Sequence, residues 1–169
     1  MHYTTTITTP LGTFRLHADA RGLTAIILPE SKADAAGADQ DESPTITHLD
    51  LAAQQIREYC AGMRTEFDLP LSLSGTLFQR QVWEIIRSIP YGRTMSYGEI
   101  AGKLGKISKA RAVGGAAHAN PLPLVIPCHR VIGSNGALTG YAGGIDLKQR
   151  LLHLEKTCSG KESGLRADG

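Results

Sequence analysis

A run of prolines around a single cysteine is the feature of this sequence that most restricts its fold. Pro121, Pro123 and Pro127 fall in the stretch Pro121-Leu122-Pro123-Leu124-Val125-Ile126-Pro127. Each proline lacks a backbone N–H and moves the residue before it out of the helical region, so the stretch cannot form a helix. The residue that follows, Cys128, is therefore predicted to lie on irregular backbone.

His129 follows Cys128 directly. A thiol reacts as its thiolate, and a neighbouring imidazole is one of the few groups that promote its ionisation near neutral pH. A lone cysteine is more often an inert core side chain, so a reactive role for Cys128 needs support from other features of the chain. The other two cysteines are Cys60, which falls in the apolar stripe of a helix, and Cys158, which we interpret as incidental. The three cysteines are odd in number and widely spaced, so they predict neither a disulfide framework nor a metal site, and no cofactor is expected.

Composition indicates an ordinary soluble protein. The 169 residues are 41% hydrophobic, which is enough for one full core or two small ones. No apolar run reaches membrane-spanning length, and the first residues have neither the basic start nor the apolar core of a signal peptide. We therefore expect a cytoplasmic protein with no membrane partner.

Charge is distributed unevenly along the chain. Residues 1–75 carry 5 Lys and Arg against 10 Asp and Glu, whereas residues 76–169 carry 13 against 6. The C-terminal half therefore has the charge of a polyanion binder, although a solvated surface could carry a similar excess. This boundary also predicts two domains, 1–75 and 76–157.

The first domain is predicted to be a small sheet with one helix. Apolar and polar residues alternate over the first thirty positions and are interrupted by turn residues, which predicts three short antiparallel strands, the last from Leu23 to Leu28. The segment 30–44 is acidic and lacks an apolar period, so we expect a mobile loop. Apolar residues from Leu49 to Cys60 then recur at helical spacing, with Gly62 as a C-terminal cap.

Capping boxes open two helices of the second domain. Thr76-Leu77-Phe78-Gln79 and Ser96-Tyr97-Gly98-Glu99 each place a hydroxyl three residues before a Gln or Glu. The second helix is predicted from Tyr97 to Leu104, and a third from Lys109 to about Ala119. Two short helices joined by a glycine-containing turn are typical of a helix-turn-helix.

The third of these helices has one nearly bare side. On a helical wheel Arg111, Gly114, Gly115 and His118 share an arc. Each glycine costs about 1 kcal/mol relative to alanine in a helix, so a close approach on that side is indicated. A groove of DNA fits this arc, and close packing of another helix is the alternative.

Glu155 falls inside the apolar arc of the last helix, predicted from Asp146 to Lys156. A buried carboxylate is costly unless it is paired, and His129 is the candidate partner. The residues thus predict a Cys128, His129, Glu155 relay in which the carboxylate orients the imidazole and the imidazole activates the thiol. The tail 158–169 is predicted to be disordered.

Four motifs together closely resemble the O6-alkylguanine-DNA alkyltransferases. They are Asn120-Pro121, Pro127-Cys128-His129-Arg130, Tyr141-Ala142-Gly143-Gly144 and Leu152-His153-Leu154-Glu155. The resemblance runs from about Gly75 to Glu155, whereas the N-terminal half is similar only in layout. It implies an α+β fold, with a ribonuclease H-like sheet and helix followed by a mainly helical, winged helix-turn-helix-like domain that carries the cysteine.

The resemblance implies a role for each matched residue. Cys128 would accept the alkyl group, His129 would relay the thiol proton through a water, and Glu155 would polarise His129. Asn120 would brace the active-site turn, and Tyr97 would help to rotate the nucleotide and donate a proton towards the leaving guanine. The pocket residues would be Pro123, Val131, Tyr141 and Ala142.

The implied partner is double-stranded alkylated DNA, bound from the minor groove with an O6-alkylguanine flipped out of the stack. Arg111 would enter the base stack in its place. The other residues assigned to DNA binding are Ser96, Lys109, Gly114, Gly115 and His118. The resemblance further implies a self-inactivating methyltransferase that is monomeric in solution. The sequence leaves open whether it also acts on O4-alkylthymine and whether it assembles cooperatively on DNA.

Two other functions remain open on the residues alone. A cysteine hydrolase using Cys128, His129 and Glu155 on an amide or ester would show turnover, but it leaves the helix-turn-helix unexplained. A DNA-binding module with an incidental thiol would function equally well as Cys128→Ser.

Overall fold

The computed structural model describes residues 3–29, 47–105, 107–133, 135–138, 141 and 144–168. The chain forms two compact units. The first contains the residues up to Thr76 together with Pro121–Val125, and the second contains Leu77–Asn120 and the residues from Ile126 onwards. The predicted acidic loop at 30–44 lies outside the described residues.

The first unit is built on a three-stranded antiparallel sheet, as the alternating pattern predicts. The strands are β1 (Tyr3–Thr9), β2 (Gly12–Ala18) and β3 (Leu23–Ile27), in the order β1-β2-β3. The register pairs Ile7 with Phe14 and Leu16 with Ile26, so the buried side chains of all three strands share one face. That face requires a covering element.

Helix α1 (Thr47–Cys60) contacts all three strands of the sheet. Its buried residues recur at helical spacing and include Leu49, Ile56 and Tyr59, which are at most 3% exposed. Gly62 has a φ of +76°, and the N–H of Met63 bonds to the carbonyl of Glu58. This left-handed residue ends α1 where the sequence predicts a glycine cap.

The proline segment 121–125 belongs to the first unit, although the sequence-based boundary near residue 75 predicts it in the second domain. The N–H of Ile26 in β3 donates to the carbonyl of Pro121 at 2.9 Å. Leu122 and Leu124 are at most 1% exposed. A long-range backbone bond and buried leucines, neither visible in local sequence, account for the difference.

The second unit is mainly helical. Helices α2 (Leu77–Arg87), α3 (Tyr97–Lys103) and α4 (Ala110–His118) are joined by short connections, and a 3₁₀ turn at Ile107–Lys109 precedes α4. Gly105, with a φ of +77°, makes the turn between α3 and α4. Strands β4 (Met95–Ser96) and β5 (Val131–Ile132) pair in parallel. The predicted helix-turn-helix is therefore α3, the turn and α4.

A buried indole ties α4 to α2. Trp83 donates from Nε1 to the carbonyl of Ala116 at 2.8 Å. The N–H of Asn120, four residues further on, bonds instead to Ala117. Trp83 thus satisfies one of the carbonyls left over at the end of α4, which fixes that end of the helix.

Helix α5 (Ile145–Asp168) closes the described chain. It ends twelve residues after the predicted end at Lys156, so residues 158–168 of the predicted disordered tail are helical. The segment lacks proline and contains one each of Lys, Glu, Leu, Arg and Ala, which favour helix, although Gly160 and Gly164 do not. Within the described residues, no helix is long and apolar enough to cross a membrane.

Candidate active site

Cys128 opens a 3₁₀ turn, Cys128–Arg130, on the irregular backbone that the prolines predict. The carbonyl of Ile126 accepts two hydrogen bonds at 2.7 Å, one from the N–H of Cys128 and one from the side-chain amide of Asn120. The N–H of Arg130 bonds to Pro127 at 2.9 Å. Asn120 therefore braces the turn at the residue two positions before the thiol.

The Cys128 side chain is half-buried, and its surroundings oppose ionisation. Burial raises the pKa of the thiol to about 11, and the Asn120 amide and the positive charge of Lys148 offset only part of that rise. The sequence predicts a thiol activated by its histidine. With this pKa the thiol is protonated at neutral pH until a base removes its proton, which is the role that the sequence predicts for His129.

His129 is fully buried and joined to Glu155 as the sequence predicts. Its Nε2 lies 2.6 Å from Oε2 of Glu155. Burial lowers the pKa of His129, and the charges of Arg130 and Lys148 lower it further, against the raising effect of Glu155. The imidazole is therefore neutral at pH 7, so Nε2 donates to the carboxylate and Nδ1 carries the basic lone pair.

Glu155 is held by four donors. Arg130 donates from Nε to Oε1 at 2.8 Å and from Nη2 to Oε2 at 3.0 Å, and the N–H of Gly92 donates to Oε1 at 3.3 Å. Together with His129, these bonds involve both carboxylate oxygens. Burial opposes ionisation, but His129 and Arg130 lower the pKa of Glu155 to about 2, so the carboxylate is ionised at all ordinary pH values.

Lys148 is a second buried cation near the thiol. It is 1% exposed, and its Nζ donates to the carbonyl of Val131 at 2.6 Å. Burial lowers the pKa of Lys148, while Cys128 raises it. Lys148 thus links α5 to β5 and places positive charge where a thiolate would form.

The predicted pocket residues fall in different parts of the structure. Val131 is buried at the start of β5, and the ring of Tyr141 meets the ring of His129 edge-on, with centroids 6.5 Å apart. Pro123 is buried in the first unit. Ala142 lies outside the described residues.

The predicted DNA-binding residues surround the helix-turn-helix. The hydroxyl of Ser96 accepts the N–H of Glu99 at 3.0 Å, which is half of the predicted capping box, and α3 begins at Tyr97. Tyr97 is half-buried and its ring faces Gly114. A Cβ at Gly114 would lie 3.8 Å from that ring, an ordinary contact.

The far side of α4 is open to solvent. Arg111, Gly115 and His118 are exposed, and no atom lies within 4 Å of a Cβ built on Gly115. Lys109, at the start of α4, places its ammonium 5.4 Å from the centre of the Phe78 ring. Packing inside the protein therefore does not require glycine at position 115.

Sequence reasoning missed the roles of Arg130 and Lys148. Arg130 stands directly beside the Cys128-His129 pair, but its carboxylate partner is 25 residues away. Lys148 precedes Glu155 by seven residues, or about two helical turns, and so lies on the same arc of α5. A lysine in an otherwise apolar arc was the available signal. Among the side chains that the structure describes, no group of three His, Cys, Asp or Glu is placed to hold a metal ion.

These contacts place a half-buried thiol directly before a buried His129–Glu155 pair in the chain, an arrangement typical of proteins that use a cysteine nucleophile. Two family models match the chain. The 6-O-methylguanine DNA methyltransferase, DNA binding domain, matches residues 77–157, and the 6-O-methylguanine DNA methyltransferase, ribonuclease-like domain, matches residues 1–73. The chain therefore belongs to the 6-O-methylguanine DNA methyltransferase family, which confirms the resemblance and the α+β fold.

Named relatives agree with this assignment. A methylated-DNA–protein-cysteine methyltransferase of Mycobacterium tuberculosis is 44% identical over 164 residues, 93% of each chain. The relative of the same name from Mycolicibacterium paratuberculosis is 56% identical over 105 residues, which span 62% of this chain and 64% of that protein. The crystal structure of Mycobacterium tuberculosis OGT in complex with DNA superposes with a TM-score of 0.82 at 43% identity, covering 92% of this chain and 94% of that one. The chain is thus a methyltransferase whose acceptor is a cysteine.

Proposed function

We propose that this chain repairs O6-alkylguanine in double-stranded DNA by irreversible transfer of the alkyl group to Cys128, one group per protein molecule. The observation that carries the proposal is the buried His129–Glu155 pair, joined at 2.6 Å, next to a half-buried thiol. A relative's solved structure contains DNA, and the matched family is described by its action on methylguanine. The acceptor cysteine, the flipped base and the single turnover are assigned from this chain's own residues.

The first step is removal of the thiol proton. Because the pKa of Cys128 is about 11 and that of His129 is lowered, the resting pair is a neutral thiol and a neutral imidazole. The proton leaves Sγ and reaches Nδ1 of His129, with a water as the relay. Glu155 stays ionised and stabilises the imidazolium that forms.

The second step is transfer of the alkyl group. Sγ of Cys128 forms a bond to the alkyl carbon, and the bond from that carbon to O6 breaks, with its electron pair leaving on the guanine. The Tyr97 hydroxyl is the candidate that donates a proton to the leaving guanine, and it regains a proton that the His129 imidazolium releases through solvent. The net proton that the guanine gains is therefore the one that left Sγ. The product is a thioether, which water does not readily hydrolyse, so the protein is consumed in the reaction.

The open side of α4 supports the assignment of a DNA-binding surface. A helix whose exposed residues on this side are Arg111, Gly115 and His118 has little side-chain bulk at its centre to keep a nucleic-acid backbone away. The alternative of close helix packing is disfavoured at Gly115, because among the described residues no atom beyond the glycine's own chain neighbours and helix backbone lies within 4 Å of a Cβ there. Lys109 and Arg111 add positive charge at the start of the same helix.

A target guanine in duplex DNA has to leave the base stack before a half-buried thiol can reach it. We assign Arg111 as the residue that enters the stack from the minor groove and fills the space of the flipped base. Its side chain is exposed on the surface that we assign to DNA. Asn120 holds the turn, and Val131 and Tyr141 of the second unit are assigned to the pocket.

The decisive experiment is mass spectrometry of the intact protein and its peptides after titration with a duplex that contains one O6-methylguanine. We expect one added methyl on the Cys128 peptide, saturating at one per protein and absent in Cys128→Ser. Binding without a mass change would replace the proposal with a lesion-binding module. Catalytic release of product from an ester or amide substrate would favour the hydrolase. The same titration with O4-methylthymine tests the second substrate.

Base flipping is tested with 2-aminopurine placed opposite or beside the lesion, since its fluorescence rises when stacking is lost. We expect Arg111→Ala to bind duplex with a smaller fluorescence rise and slower methyl transfer. Arg64→Ala is the matched control, because Arg64 pairs with Glu58 in the first unit. Equal fluorescence in Arg111→Ala and wild type would exclude Arg111 as the intercalating residue.

A further inference from the structure

Arg130 is the residue most extensively bonded to the His129–Glu155 pair. It is 5% exposed, and three nitrogens of its guanidinium donate to three oxygen atoms of two residues. Nε and Nη2 bond to the two oxygens of Glu155 at 2.8 and 3.0 Å, and Nη1 donates to the carbonyl of Ile89 at 2.6 Å. A planar fork of this kind fixes the orientation of a carboxylate as well as its charge.

The arrangement around Glu155 leaves the carboxylate little freedom to rotate. His129 makes a hydrogen bond to Oε2, and the N–H of Gly92 donates a hydrogen bond to Oε1. Arg130 is itself held by Ile89 and lies over the Tyr91 ring, with its guanidinium carbon 5.6 Å from the ring centre. The orientation of the His129 ring is therefore set by a carboxylate that Arg130 keeps in place.

We propose that Arg130 is a positioning residue of the transfer site: its guanidinium balances the charge of Glu155, so that the carboxylate orients His129 while leaving it a neutral proton acceptor. This inference rests on the proposed function. A buried carboxylate facing an imidazole without Arg130 would favour the imidazolium, which has no lone pair left for the thiol proton. With Arg130 present, the carboxylate and guanidinium are neutral as a pair, and the imidazole gains its proton only during the reaction.

The charged and titratable groups near His129 come from α5, from the 3₁₀ turn and from the residue Tyr141 between them. Glu155 and Lys148 belong to α5, and Cys128 and Arg130 belong to the 3₁₀ turn, while Tyr141 presents its ring. Only Glu155 favours the protonated imidazole, whereas Arg130 and Lys148 oppose it. Removal of Arg130 therefore leaves Lys148 as the one cation among these groups that opposes protonation.

The test is the NMR titration of the His129 imidazole in Arg130→Met, Arg130→Lys and wild-type protein without DNA. The His129 resonance is assigned by its absence from His129→Gln. In Arg130→Met we expect the titration midpoint to rise by about one pH unit or more, because a cation within hydrogen-bonding distance of the carboxylate is lost. In Arg130→Lys, which keeps the charge, the midpoint should stay near that of wild type. Arg64→Met, which removes an arginine of the first unit, is the control for nonspecific effects.

Single-turnover methyl transfer separates this role from a structural one. We expect Arg130→Met to bind duplex DNA as wild type does but to transfer the methyl group more slowly. The pH at which its transfer rate falls on the acidic side should be higher than in wild type. Arg130→Lys should transfer at an intermediate rate, and its rate should fall at the same pH as in wild type. If Arg130→Met is folded and its His129 titration midpoint equals that of wild type, the inference is wrong. If Arg130→Met fails to fold, Arg130→Lys decides. A His129 midpoint in Arg130→Lys that is raised by about one pH unit, although the positive charge is kept, would contradict the inference. Absence of methyl transfer in wild type would refute the proposed function and leave the titration result intact.

Discussion

At the scale of single residues, the site stabilises the charged form of Glu155 and the neutral forms of Cys128 and His129. Glu155 is ionised with a pKa of about 2, while the pKa of Cys128 is raised to about 11 and that of His129 is lowered. Arg130 makes this combination possible, because it stabilises a buried carboxylate without adding a proton to the imidazole. Each of these groups therefore links folding stability to pH.

Acid should destabilise the protein in two stages. His129 has a lowered pKa when folded, so stability falls as the pH drops below its ordinary value of 6.5. Glu155 contributes stability that is fully present above pH 4.5 and is lost as the pH falls towards 2, amounting to about 3 kcal/mol. Urea denaturation from pH 8 to pH 2.5 measures both stages.

The variant Glu155→Gln should lack the second stage. At pH 7 we expect it to be less stable than wild type by about 3–5 kcal/mol, because Arg130 loses its charge partner. The difference should shrink as the pH falls below 4.5. A constant difference between the two proteins from pH 7 to pH 2.5 would show that Glu155 is not the titrating group.

Lys148 provides a second residue-scale prediction. The variant Lys148→Met keeps the length of the side chain but removes the cation near Cys128, so the pKa of the thiol should rise further. The rate of Cys128 modification by iodoacetamide at pH 8 should fall, about tenfold for each unit of the rise. Lys156→Met, an exposed lysine of the same helix, is the matched control and should react as wild type does. Equal rates in all three proteins would exclude an electrostatic role for Lys148.

At the scale of elements, α4 combines a firmly held inner side with an exposed outer side. Val113, Ala116 and Ala117 are buried, and Trp83 fixes the carbonyl of Ala116. The exposed outer side carries Gly115, and a glycine there lowers the intrinsic stability of the helix. Such a cost is consistent with an external partner that needs a close approach.

Gly115→Ala should therefore separate stability from DNA binding. The added Cβ meets no atom within 4 Å, so we expect the free energy of unfolding to rise by about 1 kcal/mol. Affinity for duplex DNA should fall, by roughly tenfold if about 1.4 kcal/mol of contact is lost. Urea denaturation and fluorescence anisotropy measure the two effects. Unchanged affinity in the more stable variant would remove the outer side of α4 from the DNA-binding surface.

At the scale of the whole molecule, local signals predicted the elements well, and long-range partners were harder to predict. Prolines, capping residues and apolar periods gave the strands, the helices and the irregular turn at Cys128, because each acts over a few residues. The pairing of His129 with Glu155 followed from the cost of burying a carboxylate. The roles of Arg130 and Lys148 depend on acceptors 25 and 17 residues away, so their partners did not follow from a local pattern, although Lys148 stood out in the apolar arc of α5.

The sequence likewise did not predict that Pro121–Val125 belongs to the first unit. The segment lies between Asn120 and Ile126, which both belong to the second unit. Its place is set by the backbone bond from Ile26 and by the burial of Leu122, Leu124 and Val125. The two units therefore are not consecutive pieces of chain, and no single cut between residues separates them.

This organisation predicts the behaviour of a fragment that starts at Leu77. Residues 77–169 retain the thiol and the Arg130–Glu155–His129 contacts, but they lose Ile26 and the core that buries Leu122 and Leu124. Each uncovered side chain forfeits about 1.5–3 kcal/mol of burial. We expect the fragment to bind a hydrophobic dye, to unfold at lower urea than the full chain and to transfer methyl groups more slowly.

A substitution inside the full chain supplies the control for truncation. Leu122→Ala leaves residues 1–76 in place but removes part of the same buried contact, at a cost of about 2–5 kcal/mol. Its dye binding and unfolding midpoint should fall between those of the fragment and the full chain. A fragment as stable and as active as the full chain would show that the proline segment needs no support from the first unit. In that case the turn at Cys128 would be held by Asn120 and its own backbone bonds alone.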